Sequence, residues 1–273
     1  MTIGIDGNTP RAIESDLREL VVKALCSAGV PSDDAEIVAK IMVKNEMRGI
    51  SHGVALIAPY VRHIQAGGMT AAARINIERD LGATLVLNGD SGLGPLVSYR
   101  AMELAIVRGR RHGVAFVIAR DSNNFAAAGY YAKMAADEGM VGFAMTNADP
   151  YMAVAGSAGR VVGNNPLACA VPGPKEHAVY LDIAMSTVAR TKVSIASREG
   201  RSVPEGWVVN ADGTPTTDPG AVQEGGSLTS LGGYKGSGLA LIVESLTGVL
   251  GGAAIMAEMR DWVSDPGLSL IHI

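Results

Sequence analysis

Glycine placement limits this chain more than any other feature. There are 34 glycines in 273 residues, and many close an apolar-patterned run. Glycine takes the left-handed backbone that ends a helix or a tight turn, so the chain is cut into short elements. Ile13, Leu17, Leu20, Val21, Ala24 and Leu25 recur at helical spacing, and Gly29 stops that helix. Ser32 is placed to cap the next helix, with Asp33 and Asp34 near its positive end. Ile37, Val38, Ile41 and Met42 form its apolar face, and Gly49 ends it. Ser51 reads as the N-cap of a third helix through Val54, Ile57, Val61 and Ile64 to Gly67-Gly68, in which Pro59 starts a new turn or a kink.

The pattern then alternates. Residues 83–87 read as a strand, 97–111 as a helix, 113–119 as a buried strand, 126–138 as a helix and 141–146 as a strand. A long loop from Asn147 to Pro166 precedes a strand pair, 167–171 and 178–181. Residues 187–197 are helical, 203–223 read as an exposed loop, and a helix runs from Lys235 to about Gly252. Strands alternating with helices predict an α/β fold.

Composition excludes several classes. Lys plus Arg is 23 against 27 Asp plus Glu, and aromatics are 4% of residues. A formal charge of −4 gives no basic surface for nucleic acid or a membrane, and few aromatics argue against a base-stacking platform. Cys26 and Cys169 lack CxxC spacing, so neither a disulfide framework nor a zinc site is expected. The opening string lacks the pattern of a secretory signal, and the apolar stretch 238–257 carries Glu244, Ser245 and Thr247, which marks a buried helix. A soluble protein of a reducing compartment is expected.

Few residues carry candidate chemistry. The Rossmann fingerprint G-x-G-x-x-G and the Walker motif are absent. Gly232-Gly233-Tyr234-Lys235-Gly236 opens a helix whose amides, with Lys235, suit an anion, although a plain glycine-rich helix entry fits equally. His52, in Ser51-His52-Gly53, falls in a predicted first helical turn, where the dipole lowers its pKa and suits proton transfer. An ordinary surface histidine beside a Ser cap also fits. Asp182 ends an apolar strand, where sites in α/β folds collect, or it caps a turn. Asn123-Asn124 and Asn164-Asn165 can hold a carboxamide or a ribose, or form turns. His63, His112 and His177 have no partners at ligand spacing, and no metal site is expected.

Taken in order, MRGISHGVA (47–55), LNGDSGLGPLVSYRAMELAI (87–106), DSNNFAAAGYYAKMA (121–135), MTNADPYMA (145–153), GNNPLACAVP (163–172), LDIAMSTVARTKV (181–193), VPEGWVVNADGTPTTDP (203–219) and GGYKGSGLALIVESLTGVLGGA (232–253) resemble the malate/L-lactate dehydrogenase family, which lacks a Rossmann fold. The likeness runs over about residues 11–257. It implies an α/β, L-sulfolactate-dehydrogenase-like NAD(P)-binding and catalytic domain over 76–260, with a helical domain over 1–75. It implies NAD or NADP as cofactor, a small 2-hydroxy or 2-oxo acid as substrate, a homodimer and a cytoplasmic location. His52 takes the position of the proton donor, with Ser51 orienting it and Asp182 supporting it. Ser122, Asn123, Asn124, Phe125, Asn164, Asn165, Asp182, Ile183, Ala184, Met185, Ser186, Tyr234 and Lys235 fall on cofactor-contacting stretches.

The chain departs from the family pattern at Leu56, where members often carry a carboxylate-binding arginine, and at Asn124, where they usually carry histidine. A different substrate handle is expected. Family chains also continue past the last matching block, so the string after about Arg260 is expected to be foreign or out of frame, and the helical domain to lack its returning partner. Two other readings fit the residues: a cofactor binder of the same fold with little turnover, and an inactive fragment.

Overall fold

The computed structural model describes residues 12–50, 52–174 and 178–259. Ser51, His177 and the tail 261–273 lie outside them. Helices α1 (Glu14–Ser27), α2 (Ser32–Met47) and α3 (Ile57–Gln65) pack around Val21, Leu25, Val38, Met42, Ile57 and Tyr60, and Leu93 and Leu96 join that core from the next helix. The helix ends at Gly29 and Gly49 are built alike. Gly49 has φ +70°, its amide donates to Glu46 O at 2.9 Å, and the Ile50 amide reaches Asn45 O at 3.1 Å. This paired closure needs a left-handed residue, which is why glycine stands there. Ser32 does not cap α2: Pro31 is the N-cap and Ser32 is the first helical residue. The fixed φ of proline starts the helix without a side-chain bond.

Strands β1 (Asn76–Asp80), β2 (Thr84–Asn88) and β3 (Phe116–Arg120) form one sheet. β1 and β2 are antiparallel, and α4 (Gly94–His112) crosses over to bring β3 parallel to β2. β1 has no apolar alternation and every residue in it is exposed. Instead Arg120 donates two bonds to Glu78, each 2.8 Å, and Asn88 Nδ2 adds a third at 3.1 Å.

Strands β4 (Gly142–Met145), β5 (Leu167–Val171) and β6 (Val179–Ile183) form a second, antiparallel sheet. Helix α5 (Ala128–Asp137) lies against it with Ala128, Ala132 and Ala136 turned to the sheet. The approach is so close that a Cβ on Gly142 would overlap the Ala132 carbonyl. This alanine–glycine contact explains how a fold with 4% aromatics still packs tightly.

After α6 (Arg190–Arg198), the segment read as an exposed loop carries short strands β7 (Val208–Val209) and β8 (Pro215–Thr216), joined by β9 (Ser227–Leu228). It buries Val203, Val208 and Val222. Two-residue strands are too short to show a period in sequence. Helix α7 (Tyr234–Glu244) continues as a π-helical turn, Ser245–Val249. Among the described residues no helix is long and apolar enough to cross a membrane, and no cluster could hold a metal ion.

One buried carboxylate ties α7 to the long loop. Glu244 is 1% exposed; its oxygens accept from Asn165 Nδ2 (2.7 Å), Met256 N (2.8 Å) and Asn147 Nδ2 (3.3 Å). Removing an acceptor from buried donors costs more than the bonds themselves return. Glu244→Ala is expected to lower stability by about 3 kcal/mol, read as the urea midpoint, and Glu244→Gln by less.

Candidate active site

The turn after α2 is anchored to the helix it leaves. Buried Asn45 donates from Nδ2 to His52 O at 3.2 Å, and the Glu46 carboxylate accepts the Val54 amide at 3.0 Å. Gly53 sits against Glu46, where a Cβ would overlap that carboxylate. These contacts fix the main chain that carries His52. His52 is not in a helical first turn as the spacing suggests. It precedes a 3-10 turn, Val54–Leu56, whose N-cap is Gly53. Its pKa is lowered all the same, by burial first, and the nearby Asp182 charge opposes the shift.

Asp182 lies on β6, two residues from Tyr180, so both side chains share one face of the strand. Its Oδ2 accepts the Gly129 amide at 2.9 Å, in the first turn of α5, and lies 3.5 Å from the Tyr180 hydroxyl. A helix N-terminus is a favourable seat for a carboxylate. Gly129 has no room for a side chain, since a Cβ would coincide with the Tyr180 hydroxyl. Burial raises the Asp182 pKa, while the Gly129 amide, His52, Tyr180 and Arg48 pull it back. Arg48, the C-cap of α2, stands 5.2 Å from the Tyr180 ring centroid. His52, Asp182, Tyr180 and Arg48 thus meet where the end of α2, strand β6 and the start of α5 converge.

A second group of expected residues is drawn together by backbone bonds. The Met185 amide donates to Asn164 O at 2.8 Å, the Leu231 amide to Met185 O at 2.8 Å, and Ser186 bridges Ser230. The chain continues from Asp182 through Ile183 and Ala184 into this ribbon, which leads by Gly232 and Gly233, both at positive φ, into α7. Tyr234 is 76% exposed and Lys235 is exposed beside the first-turn amides. A lysine at a helix N-terminus is a donor set suited to a pyrophosphate. Met185 and Ser186 are buried, and Ser186 Oγ is spent on Val188 O at 2.7 Å.

The asparagines divide by partner. Asn165 is buried, with Oδ1 accepting Ala148 N at 3.0 Å and Nδ2 donating to Ala240 O (2.9 Å) as well as Glu244, so its amide ties the framework together. Asn124 Oδ1 is held by Ala126 N at 3.0 Å and by the Tyr60 hydroxyl at 3.2 Å. Asn123 Nδ2 donates to Ser91 O at 2.8 Å, and its buried Oδ1 has no partner among the described residues. An orphaned amide acceptor of this kind fits a carboxamide donor. Ser122 is buried, and Phe125 lies in the core against Tyr131, ring centroids 5.5 Å apart. Sequence reasoning missed Arg48, Tyr180 and Gly129. The i, i+2 spacing of Tyr180 and Asp182 was the available signal.

The family model described as malate/L-lactate dehydrogenase matches residues 13–270. A malate dehydrogenase of Pyrococcus horikoshii is 40% identical over 276 residues, covering 98% of this chain and 76% of that protein. The ureidoglycolate dehydrogenase (NAD(+)) of Escherichia coli is 34% identical over 250 residues, covering 91% of this chain and 71% of that protein. A solved sulfolactate dehydrogenase of Methanocaldococcus jannaschii superposes with a TM-score of 0.88 at 36% identity, over 95% of this chain and 75% of that one.

Two outcomes are expected from this geometry. In NMR titration, His52 protonates with a midpoint below 6.5, and Asp182→Asn moves it further down, because burial remains while the opposing charge is lost. Gly129→Ala displaces Tyr180 and lowers stability by about 1–3 kcal/mol, read by thermal unfolding.

Proposed function

The chain belongs to the malate/L-lactate dehydrogenase family, and on that premise we propose an NAD(P)-dependent oxidoreductase that interconverts a small 2-hydroxy acid and its 2-oxo acid. The observation that carries this reading is the meeting of a half-buried imidazole, His52, with a half-buried carboxylate, Asp182, that is seated on the Gly129 amide. A bound nicotinamide coenzyme supplies the hydride for reduction and accepts it in oxidation. His52 donates its ring proton to the carbonyl oxygen in reduction and takes the hydroxyl proton in oxidation. Asp182 favours the imidazolium and offsets part of the cost of burial, which keeps the ring more basic than burial alone would leave it. Lys235 and the first-turn amides of α7 hold the coenzyme's phosphates, while Ile183 and Ala184 line its path beside Asp182.

The assembly is read as a cytoplasmic homodimer. The exposed apolar side chains Val179 and Leu181, 73% and 47% accessible on β6, favour a covered face. The division into a helical part over 1–75 and a coenzyme-binding part over 76–260 belongs to the same proposal.

A panel of 2-oxo acids assayed with NADH and NADPH tests it. Turnover of at least one acid is expected, and none at all would sink the reading. His52→Ala is expected to cut kcat about 100- to 10,000-fold, and full activity in that variant would remove His52 as the proton donor. The pH dependence follows from the lowered pKa of His52. Reduction needs the protonated ring, so its rate falls as pH rises through a value below 6.5; oxidation needs the neutral ring and rises over the same window.

A further inference from the structure

A 2-oxo acid carries its carboxylate on the carbon next to the one that reacts. When its carbonyl is held at His52, that carboxylate lies in the same small space. The anion already there is Asp182, and two carboxylates side by side in a partly buried site repel. A cation must face the substrate for it to bind. Arg48 is the cation this geometry supplies. Its charge acts on both the Tyr180 hydroxyl and the Asp182 carboxylate.

Three features equip Arg48 for this. It is fixed at its base, because it caps α2 and is followed at once by the left-handed turn at Gly49. Its guanidinium is placed over the flat Tyr180 ring at 5.2 Å and bonds the Tyr180 hydroxyl, which steadies the group, and a guanidinium carries five N–H donors, more than that one bond uses. Its donors are uncommitted to any acid, since among the described residues no carboxylate lies within 4 Å of it as an ion-pair partner. The neighbouring acid, Glu46, is engaged with the Val54 amide. Leu56, four residues after His52, has no polar group on its side chain.

We propose that Arg48 binds the substrate carboxylate and sets the preference for 2-oxo acids over uncharged analogues, an assignment that rests on the oxidoreductase reading above. Tyr180 is its positioning residue, and Gly129 makes room for Tyr180. A planar fork on a planar carboxylate gives two parallel bonds, which a lysine cannot reproduce.

The test compares the best 2-oxo acid of the panel with its methyl ester in wild type, Arg48→Met and Arg48→Lys. For Arg48→Met, KM for the acid is expected to rise about 10- to 100-fold, the range of a hydrogen bond to a charged group. The ester, which has no negative charge to lose, is expected to change by less than about threefold on the same argument. Arg48→Lys falls between. NADH affinity by fluorescence titration stays at the wild-type value, which separates a lost contact from a lost fold. Acid and ester weakened equally, or an unchanged acid KM, overturns the assignment. Oxalate binding to the NADH complex, measured by calorimetry, needs no turnover. Loss of oxalate affinity in Arg48→Met supports the assignment, and an affinity equal to wild type overturns it. Wild type that binds oxalate through Arg48 yet reduces no acid would instead overturn the oxidoreductase reading.

Discussion

The hydrogen bond from the Gly129 amide to the Asp182 carboxylate is the contact on which the rest of this site depends. It joins the N-terminus of α5 to strand β6, and it forms only because the helix lies close to the sheet. Alanine at 128, 132 and 136 and glycine at 142 permit that approach. A larger residue at any of them would lift α5 and carry the amide away from the acid. The same closeness leaves no space for a side chain at Gly129, and the Tyr180 ring fills the place where one would be. Arg48 then rests on Tyr180. The chain of dependence runs from small residues in a core to the position of a cation at a site.

The electrostatics of the site follow from that packing. Burial pushes Asp182 and His52 towards their neutral forms, the acid by raising its pKa and the imidazole by lowering it. Each then favours the charged form of the other. The two effects oppose, so neither group is locked in one state, which is what reversible proton transfer requires. An anchored turn keeps this balance from drifting. Asn45 and Glu46 bind the main chain on either side of Gly53, so the backbone that carries His52 is tied to the last turn of α2.

Legibility in the sequence tracked how local each cause was. The helix ends at Gly29 and Gly49 could be read directly, because a left-handed closure depends on the glycine itself. The strands at 116–120 and 167–171 are legible as apolar runs, although Phe116 and Val171 at their ends are exposed. β1 is not, since it is held by Arg120, Asn88 and Glu78 across the sheet rather than by an apolar face. His52 is legible as a candidate from Ser51-His52-Gly53 itself, where a helical first turn predicts a lowered pKa; the pKa is lowered, but burial and not a helix dipole is the cause. Arg48 and Tyr180 escaped notice because they lie far apart in sequence. The packing of β6 on α5 seats Tyr180, and the packing of α2 on α5 brings Arg48 to it.

The end of β6 carries two duties. Asp182 closes the strand and faces His52, while the next residues run on into the ribbon that Asn164 and Leu231 bracket, leading to the amides of α7. One segment therefore carries both the carboxylate that faces His52 and the proposed coenzyme path. Hydride and proton must reach adjacent atoms of one carbonyl, and misplacement by about 1 Å can cost a hundredfold in rate. A strand paired by five registered residues to β5 holds that tolerance better than a loop. The long loop 147–166 lies on this frame through Asn165 and Glu244. Its asparagine belongs to the scaffold, with its amide bonds closed within the protein, whereas the charge of Asp182 acts on His52, which is why the proposed chemistry is assigned to Asp182.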